Sequence, residues 1–501
     1  MSRSYGAKFC NFLMKSKVLF SIAFFAIFII LLFKSDNFSK KSLTLAQTSK
    51  EKSEDPYFVT PQDAFVPYGT AREGILTFRG NPTRNYYGDD PIPEKVPKIR
   101  WVYPAKGTMC SVSYLRDKGD LWCGMGWTGQ PVVFREKGRL LIAYGAFDKK
   151  IHLMDATLGR DISPPLLTGD IIKGSTTVDP DGFPLLYIGS RDNFLRIVSF
   201  EDYKLKEAWK LNAYAVNPVL WDDDWDASPL ILKDFLITGG ENGHLHIIKL
   251  NRKLLSDGKI SIQPKLQHNV WGWDEKLLRD FPKPAVSIEN SVAVFKNTAY
   301  FANSAGLLQG WDLSPILKNK APIRVFRLWL GDDIDASITI DGKGYLYVAA
   351  EYEIANTRSK QVGQLLKIDP SKEGDNAIVW AKHIRNQIPD GIWSTPALTE
   401  KLLVATTNSG KVYGLDPVNG KELWQLSYGK QQLWSSPIII KDRLLIATCD
   451  GRLDAYSLDP RSAPSLLWSL KVSNGCFEAT PAVYDGKIFI GSRDGKLYGI
   501  W

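Results

Sequence analysis

Four carboxylates and two tryptophans occupy one recurring position of this chain, three residues before the anchor residue that opens each unit of an internal repeat. In chain order the position holds Thr128, Gly174, Asp226, Glu289, Asp335, Trp393, Trp434 and Glu478. Carboxylates brought together in a concave place repel one another, so they require a cation, a basic partner or a raised pKa. A tryptophan face beside them suits a planar ring, a sugar or a cation. The pattern predicts a ligand site made of Asp226, Glu289, Asp335, Trp393, Trp434 and Glu478.

The turns beside this position add further oxygen ligands. Clusters of oxygen ligands suit Ca²⁺. The candidate metal ligands are Asp226, Glu241, Asn242 and Asp335. The alternative is structural: each carboxylate accepts hydrogen bonds from loop amides, and each tryptophan packs between repeat units. His244 and His246 lie two residues apart, and with no third His or Cys placed nearby a structural role is favoured. No catalytic residue can be named, because no hydrolase, nucleotide-binding or metalloprotease motif is present.

The repeat itself must position these side chains. Its units read as an apolar strand, a polar turn, a second apolar strand, a glycine turn and a third strand. In the last three units a proline and the turn glycine are 14 residues apart: Pro396/Gly410, Pro437/Gly451 and Pro481/Gly495. The eight anchors are Pro131, Thr177, Pro229, Val292, Ile338, Pro396, Pro437 and Pro481. Such spacing is typical of four-stranded blades, so we predict an all-β, eight-bladed β-propeller over residues 75–501.

The two ends of the repeat region predict how the ring closes. The last unit stops at Trp501 after three strands, and an orphan strand lies at 98–103 (KIRWVY). Pairing of this strand with the C-terminal unit would complete the eighth blade and remove an exposed sheet edge. Two stacked β-sandwiches, the alternative fold, would not require a half-blade at each end.

The N-terminus predicts attachment to a membrane. Basic residues precede an uncharged apolar run, Val18 to Phe33. We expect residues 1–17 in the cytoplasm, a transmembrane signal anchor at 18–33, a polar linker at 34–74, and a periplasmic or extracellular propeller. A cleaved signal peptide is the alternative, although no small-x-small site follows the run.

The distribution of charge and the cysteines limit which partners and which compartment are plausible. The formal net charge is +9, but residues 1–60 contribute nine Lys/Arg against four Asp/Glu, so the rest of the chain carries only a small excess of positive charge. Nucleic-acid binding is therefore excluded for the propeller, which we expect to be a monomer. In a propeller Cys449 and Cys476 fall in loops of neighbouring blades on one face, and Cys110 and Cys123 bracket one loop. We predict disulfides 110–123 and 449–476, with four free thiols as the alternative.

The entry Trp393-Ser394-Thr395-Pro396 and the turn Leu415-Asp416-Pro417-Val418-Asn419-Gly420, followed by Trp424, resemble the quinoprotein-like (PQQ-like) propeller repeat. The resemblance covers roughly residues 75–501. That family includes quinone-dependent alcohol dehydrogenases and non-enzymatic scaffolds, such as the propeller lipoprotein of the outer-membrane β-barrel assembly machine. In the dehydrogenases the quinone PQQ and Ca²⁺ sit at the channel mouth. This chain lacks their adjacent Cys-Cys pair, and it also lacks the lipid-modified Cys of the assembly lipoprotein.

Two functions follow from these observations. The favoured one is a non-enzymatic binding or scaffold protein for an envelope partner, which could be a protein, a small molecule or a glycan. The alternative is a PQQ- and Ca²⁺-dependent oxidoreductase with its site at the channel mouth. Of the cofactors, Ca²⁺ is favoured over PQQ, because the carboxylates are present and the Cys-Cys pair is not.

Overall fold

A computed structural model describes residues 57–115, 118–126, 129–256, 259–281, 285–459 and 462–501. It confirms an all-β propeller of eight blades. The strands of blades 1 to 4, in pairing order, are Gly74–Ile75, Val132–Glu136, Arg139–Gly145, Lys150–Asp155, and Arg160–Asp161 with Leu166–Leu167; Thr177–Val178, Leu185–Gly189, Phe194–Ser199, Lys206–Asn212; Leu230–Leu232, Phe235–Gly239, His244–Lys249, Lys265–Trp271; and Ala293–Phe295, Thr298–Phe301, Leu307–Asp312, Ile323–Trp329. Those of blades 5 to 8 are Thr339–Ile340, Leu346–Ala349, Leu365–Ile368, Ile378–Lys382; Ala397–Leu398, Leu403–Thr406, Lys411–Leu415, Glu422–Ser427; Ile438–Ile440, Arg443–Ala447, Arg452–Ser457, Ser465–Lys471; and Ala482–Tyr484, Lys487–Ser492, Lys496–Ile500, Ile99–Tyr103.

Smaller elements decorate the loops. Three two-stranded pairs are Cys110–Leu115 with Lys118–Cys123, Lys253–Leu254 with Ile260–Ser261, and Glu351–Tyr352 with Asp390–Gly391. Short α-helices span Glu275–Asp280 and Thr357–Val362. Turns of 3-10 helix span Pro61–Asp63, Glu201–Tyr203, Ala213–Ala215, Ser314–Lys318 and Gly374–Ala377. Among the described residues, no helix is both long and apolar enough to cross a membrane. The predicted cytoplasmic segment, the anchor at 18–33 and the linker as far as residue 56 lie outside the described residues.

Blade 8 closes as predicted, by pairing of the N-terminal strand Ile99–Tyr103 with the last strand of the chain. Trp101 lies opposite Gly499 and its indole covers that glycine, where a Cβ would come within 2.2 Å of the ring. Trp424 and Gly414 repeat this arrangement in blade 6. In these two blades the tryptophan of the fourth strand covers a glycine of the third, and this shared pairing explains why the orphan strand resembled the end of blade 6.

A belt of hydroxyl groups links the blades where their first strands begin. The residue before the first strand's anchor donates its backbone N–H to a hydroxyl of the next blade. The bonds are Ser228 to Ser291 at 2.9 Å, Ser291 to Ser337 at 2.9 Å, Ser337 to Thr395 at 2.9 Å and Thr395 to Ser436 at 3.0 Å. The recurring Ser or Thr before each anchor therefore holds neighbouring blades together at the entry face, the face on which the first strands begin.

The central channel is filled by the chain itself. Residues 76–87, here called the channel segment, donate or accept hydrogen bonds to the first strands of most blades. The carbonyl of Leu76 accepts from Val178 at 2.8 Å, and that of Thr83 accepts from Ile340 at 3.0 Å. Arg79 and Arg84 are fully buried. The Arg79 guanidinium donates to the carbonyls of Pro437 and Pro396, and that of Arg84 donates to the carbonyl of Val292. Burial lowers the pKa of Arg84 to about 9.

Residues 57–74, assigned from their polar composition to the linker, pack on the ring. Phe58 and Val59 donate backbone N–H groups to the carbonyl of Lys296. Buried Tyr68 accepts the N–H of Ile231 at 2.7 Å. The compact unit runs from Tyr57 to Trp501, and so begins before the predicted boundary at residue 75.

Both predicted disulfides are present. Cys110 and Cys123 join the two strands of the hairpin before blade 1, and Cys449 and Cys476 join the turn of blade 7 to the loop before blade 8. These bonds secure two loops on the entry face.

Candidate functional site

The hydroxyl belt corrects the repeat alignment in blade 2. The N–H of Gln130, from blade 1, donates to Ser175 at 2.8 Å, so Ser175 takes the place that Ser228 has in blade 3. In every other blade the first strand begins one residue after the anchor, and in blade 2 it begins at Thr177. The anchor there is Thr176, and the recurring position three residues earlier holds Lys173 instead of Gly174. At this point blade 2 has two successive threonines where most other blades have a proline anchor, so the alignment from sequence was ambiguous by one residue.

The corrected set, here called the entry row, runs around the mouth of the filled channel. Its members in blades 2 to 8 are Lys173, Asp226, Glu289, Asp335, Trp393, Trp434 and Glu478. Thr128, the blade 1 member, lies outside the described residues. A single lysine therefore stands beside the three consecutive carboxylates that the sequence predicted.

Three carboxylates of blade 3 surround this lysine. Lys173 Nζ lies 2.9 Å from Asp224 Oδ2, 2.7 Å from Asp226 Oδ2 and 3.2 Å from Glu241 Oε1. Asp224, Asp226 and Glu241 are all buried, and we call them the first triad. Burial lowers the pKa of Lys173, but the three carboxylates together raise it well above its usual value. Burial raises the pKa of Asp226 to about 7, although Lys173 opposes the rise.

Blade 5 repeats the backbone frame of the first triad, although its carboxylate oxygens do not converge to within 4.8 Å of one another as those of the first triad do. In blade 3 the N–H of Glu241 donates to the carbonyl of Asp224 at 3.0 Å, and in blade 5 the N–H of Glu351 donates to that of Asp333 at 2.8 Å. Asp333, Asp335 and Glu351 are thus the structural equivalents of the first triad, and we call them the second triad. Each triad combines two aspartates before a first strand with a glutamate from the turn after the second strand.

The two triads differ in what the preceding blade supplies. Lys173 precedes the first triad, whereas Glu289 holds the same place before the second. Asp333 Oδ1, Asp335 Oδ1 and Glu351 Oε2 are buried and accept no hydrogen bond from the described part of the chain. Burial, followed by the charges of Asp335 and Asp226, raises the pKa of Glu289 well above its usual value. In the part of the chain that the structure describes, no lysine or arginine forms an ion pair with Glu289 or with the second triad, in contrast to the first triad.

Two tryptophans form the wall next to the second triad. The rings of Trp393 and Trp434 stack with centroids 4.8 Å apart at an interplanar angle of 20°. With Asp335 and Phe78 of the channel segment they line a small recess, whose other lining residues are Ser394, Thr395 and Ser436. A carboxylate and aromatic faces thus line one pocket, a combination that suits a cation with an apolar part.

Glu478, the remaining carboxylate of the entry row, has a different environment. Arg493 Nη1 lies 3.2 Å from Glu478 Oε2. The same guanidinium stacks over the rings of Trp122 and Phe147, 4.9 Å from each centroid. The structure therefore places Glu478 in an ion pair rather than among the unmatched carboxylates.

The predicted metal ligands are divided between these environments. Asp226 and Glu241 lie in the first triad with Asp224, and one oxygen of each of the three lies within 4.8 Å of the others, as metal binding requires. Lys173 Nζ contacts those same three carboxylates, so an ammonium already lies between them. Asp335 belongs to the second triad. The Asn242 side chain accepts the N–H of His244 and donates to the carbonyl of Ala213, so it is engaged in holding its own turn.

The histidine pair is held by the protein. His244 Nε2 lies 2.8 Å from the carbonyl oxygen of Pro218, and its Nδ1 lies 2.8 Å from the Asn269 amide. His246 is buried beside Trp225. These contacts agree with the structural role favoured from the sequence.

Sequence reasoning missed Lys173, Asp333 and Phe78. Lys173 would have appeared once blade 2 was aligned on the hydroxyl belt. Asp333 was detectable as the outer member of Asp333-Ile334-Asp335, which matches Asp224-Trp225-Asp226. Phe78 lies in the channel segment, which has no repeat pattern, so nothing in the sequence indicated that it lines the recess.

Known proteins are similar to part of this chain. The family model described as outer membrane protein assembly factor BamB matches residues 363–500. The assembly factor BamB of Shewanella oneidensis is 32% identical over 95 residues, which are 19% of this chain. The chain spans 23% of that curated relative's length. These matches confirm the resemblance to the PQQ-like repeat in the C-terminal blades.

Two solved structures are also similar. BamB from Moraxella catarrhalis has 14% sequence identity and a TM-score of 0.48, and the match covers 81% of this chain and 97% of that one. The computationally designed Ika8 protein has 12% identity and a TM-score of 0.49, with 75% and 96% covered.

Proposed function

We propose that this protein is a non-enzymatic scaffold of the cell envelope that binds a partner protein at its entry face. The observation that carries the proposal is the match of residues 363–500 to outer membrane protein assembly factor BamB, whose name describes a role in assembly. Two disulfides on the entry face are typical of proteins in an oxidising compartment. The apolar run at 18–33 would anchor the ring to a membrane, with the propeller on the extracytoplasmic side.

A hairpin on the entry face supports partner binding. The strands Cys110–Leu115 and Lys118–Cys123 are joined at their base by a disulfide. Val112 and Leu121 lie opposite each other, and with Tyr114 they are exposed at 42%, 67% and 62%. A contiguous patch of exposed apolar side chains is typical of an interaction surface, whereas single exposed apolar residues are common on any monomer.

The mouth favours a binding role over quinone chemistry. A PQQ-dependent dehydrogenase would hold its cofactor there. Trp393 and Trp434 stack on each other and line the small recess together with Phe78. Lys173 already contacts all three carboxylates of the first triad. The stacked rings and the lysine thus occupy positions that a quinone and Ca²⁺ would need.

Site-specific photo-crosslinking in the cells that make the protein tests the proposal. A benzophenone amino acid replaces Tyr114 on the hairpin, and in a matched control it replaces Val418, which is 66% exposed in a turn on the opposite face. We expect a discrete protein adduct from position 114 and none from position 418. Equal labelling at both positions would contradict a specific entry-face partner. Stoichiometric uptake of PQQ with Ca²⁺, followed by alcohol-dependent dye reduction, would show that the protein is a dehydrogenase.

A further inference from the structure

The internal lysine of the mouth points to the chemistry of what binds there, an inference that rests on the proposed binding function. We infer that the second triad, Asp333, Asp335 and Glu351, binds a primary ammonium group of the ligand. The ligand's alkyl chain then lies against Trp393.

The first triad provides the precedent within the same molecule. Lys173 extends from blade 2 and places its ammonium between three carboxylates at 2.7–3.2 Å. The second triad has the same residue types on the same backbone frame, including the bond from the glutamate N–H to the first aspartate's carbonyl. Glu289 stands where the lysine would come from. The backbone frame of the first triad thus occurs again in blade 5, where no lysine enters it. Among the described residues, the first triad brings one oxygen of each carboxylate within 4.8 Å of the others and the second does not, so the second triad would have to close around a bound ammonium.

The buried oxygens of the second triad are a separate observation that points to a ligand, apart from the shared backbone frame. Asp335 and Glu351 are only 6% and 2% exposed, yet each has a buried oxygen without a hydrogen-bond donor in the described part of the chain. An unsatisfied buried polar atom costs free energy, and a buried carboxylate costs more. Asp335 lines the recess beside the tryptophans, so a cation that enters the recess reaches it.

The wall of the recess favours an alkylammonium over Ca²⁺. Calcium takes roughly six to eight oxygen ligands in a flexible coordination shell. The lining of this recess instead combines one carboxylate, Asp335, with three hydroxyl residues and with the rings of Phe78, Trp393 and Trp434. An ammonium needs three acceptors, of which Asp335 lies in the recess and the rest of the triad and the hydroxyl groups can supply the others. Its methylene groups gain from the aromatic faces. Such a group belongs to a lysine side chain of a protein or to a free polyamine.

Calorimetric titration of the purified full chain at pH 8 tests the inference. The probes are N-acetyl-lysine methylamide for a protein lysine, 1,5-diaminopentane for a polyamine, N-acetyl-norleucine methylamide as the uncharged control, and CaCl₂. We expect the amines to bind and the norleucine compound not to bind. Binding of the lysine compound in preference to the diamine would assign the site to a protein partner, and the reverse to a free polyamine. Binding of Ca²⁺ without binding of either amine would overturn the inference in favour of a metal site.

Two variants separate binding from folding. Asp335→Asn should weaken amine binding by at least about tenfold, since it removes a charge-assisted contact. Glu289→Lys should place an internal ammonium at the second triad, raise the melting temperature and abolish amine binding. A Glu289→Lys protein that melts lower and still binds the amine like the wild type would overturn the inference.

The crosslinking experiment distinguishes this failure from failure of the proposed function. A partner captured from position 114, together with no amine binding, would contradict only the second-triad inference. Loss of both signals would contradict the scaffold proposal as well.

Discussion

The two carboxylate triads of the mouth share a backbone frame and differ in what the preceding blade supplies: Lys173 and Arg191 lie at the first triad, and Glu289 lies at the second. In the first triad Lys173 opposes the rise in carboxyl pKa that burial causes, yet the pKa of Asp226 is still raised to about 7 and that of Glu241 well above its usual value. In the second, burial and the charge of Asp333 raise the pKa of Asp335 well above its ordinary value. Glu289 contributes another carboxylate where the first triad has its lysine.

This comparison teaches that the carboxylates of one propeller blade are balanced by side chains of the blade before it. Each blade supplies the same loop geometry, so the identity of the entry-row residue one blade earlier determines whether a cluster is satisfied. A repeat fold can therefore contain the same carboxylate cluster in two blades. A side chain of the protein pairs with one cluster, and the other cluster is left for a ligand. Substitutions at Lys173, Asp335 and Glu478 sharpen or break this interpretation, in decreasing order of effect.

The largest effect is expected from Lys173→Met. It removes the ammonium from three buried carboxylates, although Arg191 remains 3.7 Å from Asp224. Removal of one partner from a buried ion pair costs about 3–5 kcal/mol. Urea unfolding at pH 7 should show a loss of that size. The loss should shrink at pH 5, because the stranded carboxylates can then take up protons. Lys173→Arg, which keeps the charge, is the control and should retain most of the stability. An unchanged unfolding midpoint for Lys173→Met would mean that the first triad does not depend on its lysine.

An intermediate effect of opposite sign is expected from Asp335→Asn without ligand. The pKa of Asp335 in the folded protein is raised above its value in the unfolded chain, which is about 3.9. The stability this group contributes is fully present below the unfolded pKa and is lost as the pH rises through the folded pKa. Asparagine does not ionise, so the variant should be more stable than wild type at pH 8 by on the order of 1 kcal/mol.

Near pH 4 the Asp335→Asn protein and the wild type should melt almost together, because the aspartate is then largely protonated. Thermal melts at the two pH values, with Asp226→Asn as the matched change in the first triad, make the comparison. A variant that is destabilised equally at both pH values would indicate that Asp335 is a structural hydrogen-bond acceptor.

The sequence predicted the parts of this molecule that repeat. Eight anchors, the orphan strand at 98–103 and the paired loop cysteines are recoverable because blade geometry imposes regular spacing on them. Residues that act across blades were harder to find. Lys173 was displaced by one position because Thr176 and Thr177 are both plausible strand starts, and only the hydroxyl belt decides between them. The channel segment was missed because its arginines are satisfied by carbonyls of distant strands, a pairing that leaves no periodic signal.

The smallest effect is expected from Glu478→Gln, and it tests whether position in the entry row matters apart from its neighbours. Glu478 occupies the same place in blade 8 as Asp335 does in blade 5, but Arg493 lies 3.2 Å away and is 24% exposed. A partly exposed ion pair is worth about 0–1 kcal/mol, and Arg493 keeps its contacts with Trp122 and Phe147 when the charge of Glu478 is removed. We therefore expect an unfolding free energy within about 1 kcal/mol of wild type and unchanged amine binding. The contrary result would be that Glu478→Gln weakens amine binding as much as Asp335→Asn does. That result would mean that the carboxylates of the whole entry row attract the amine together, and that the second triad is not a specific binding site.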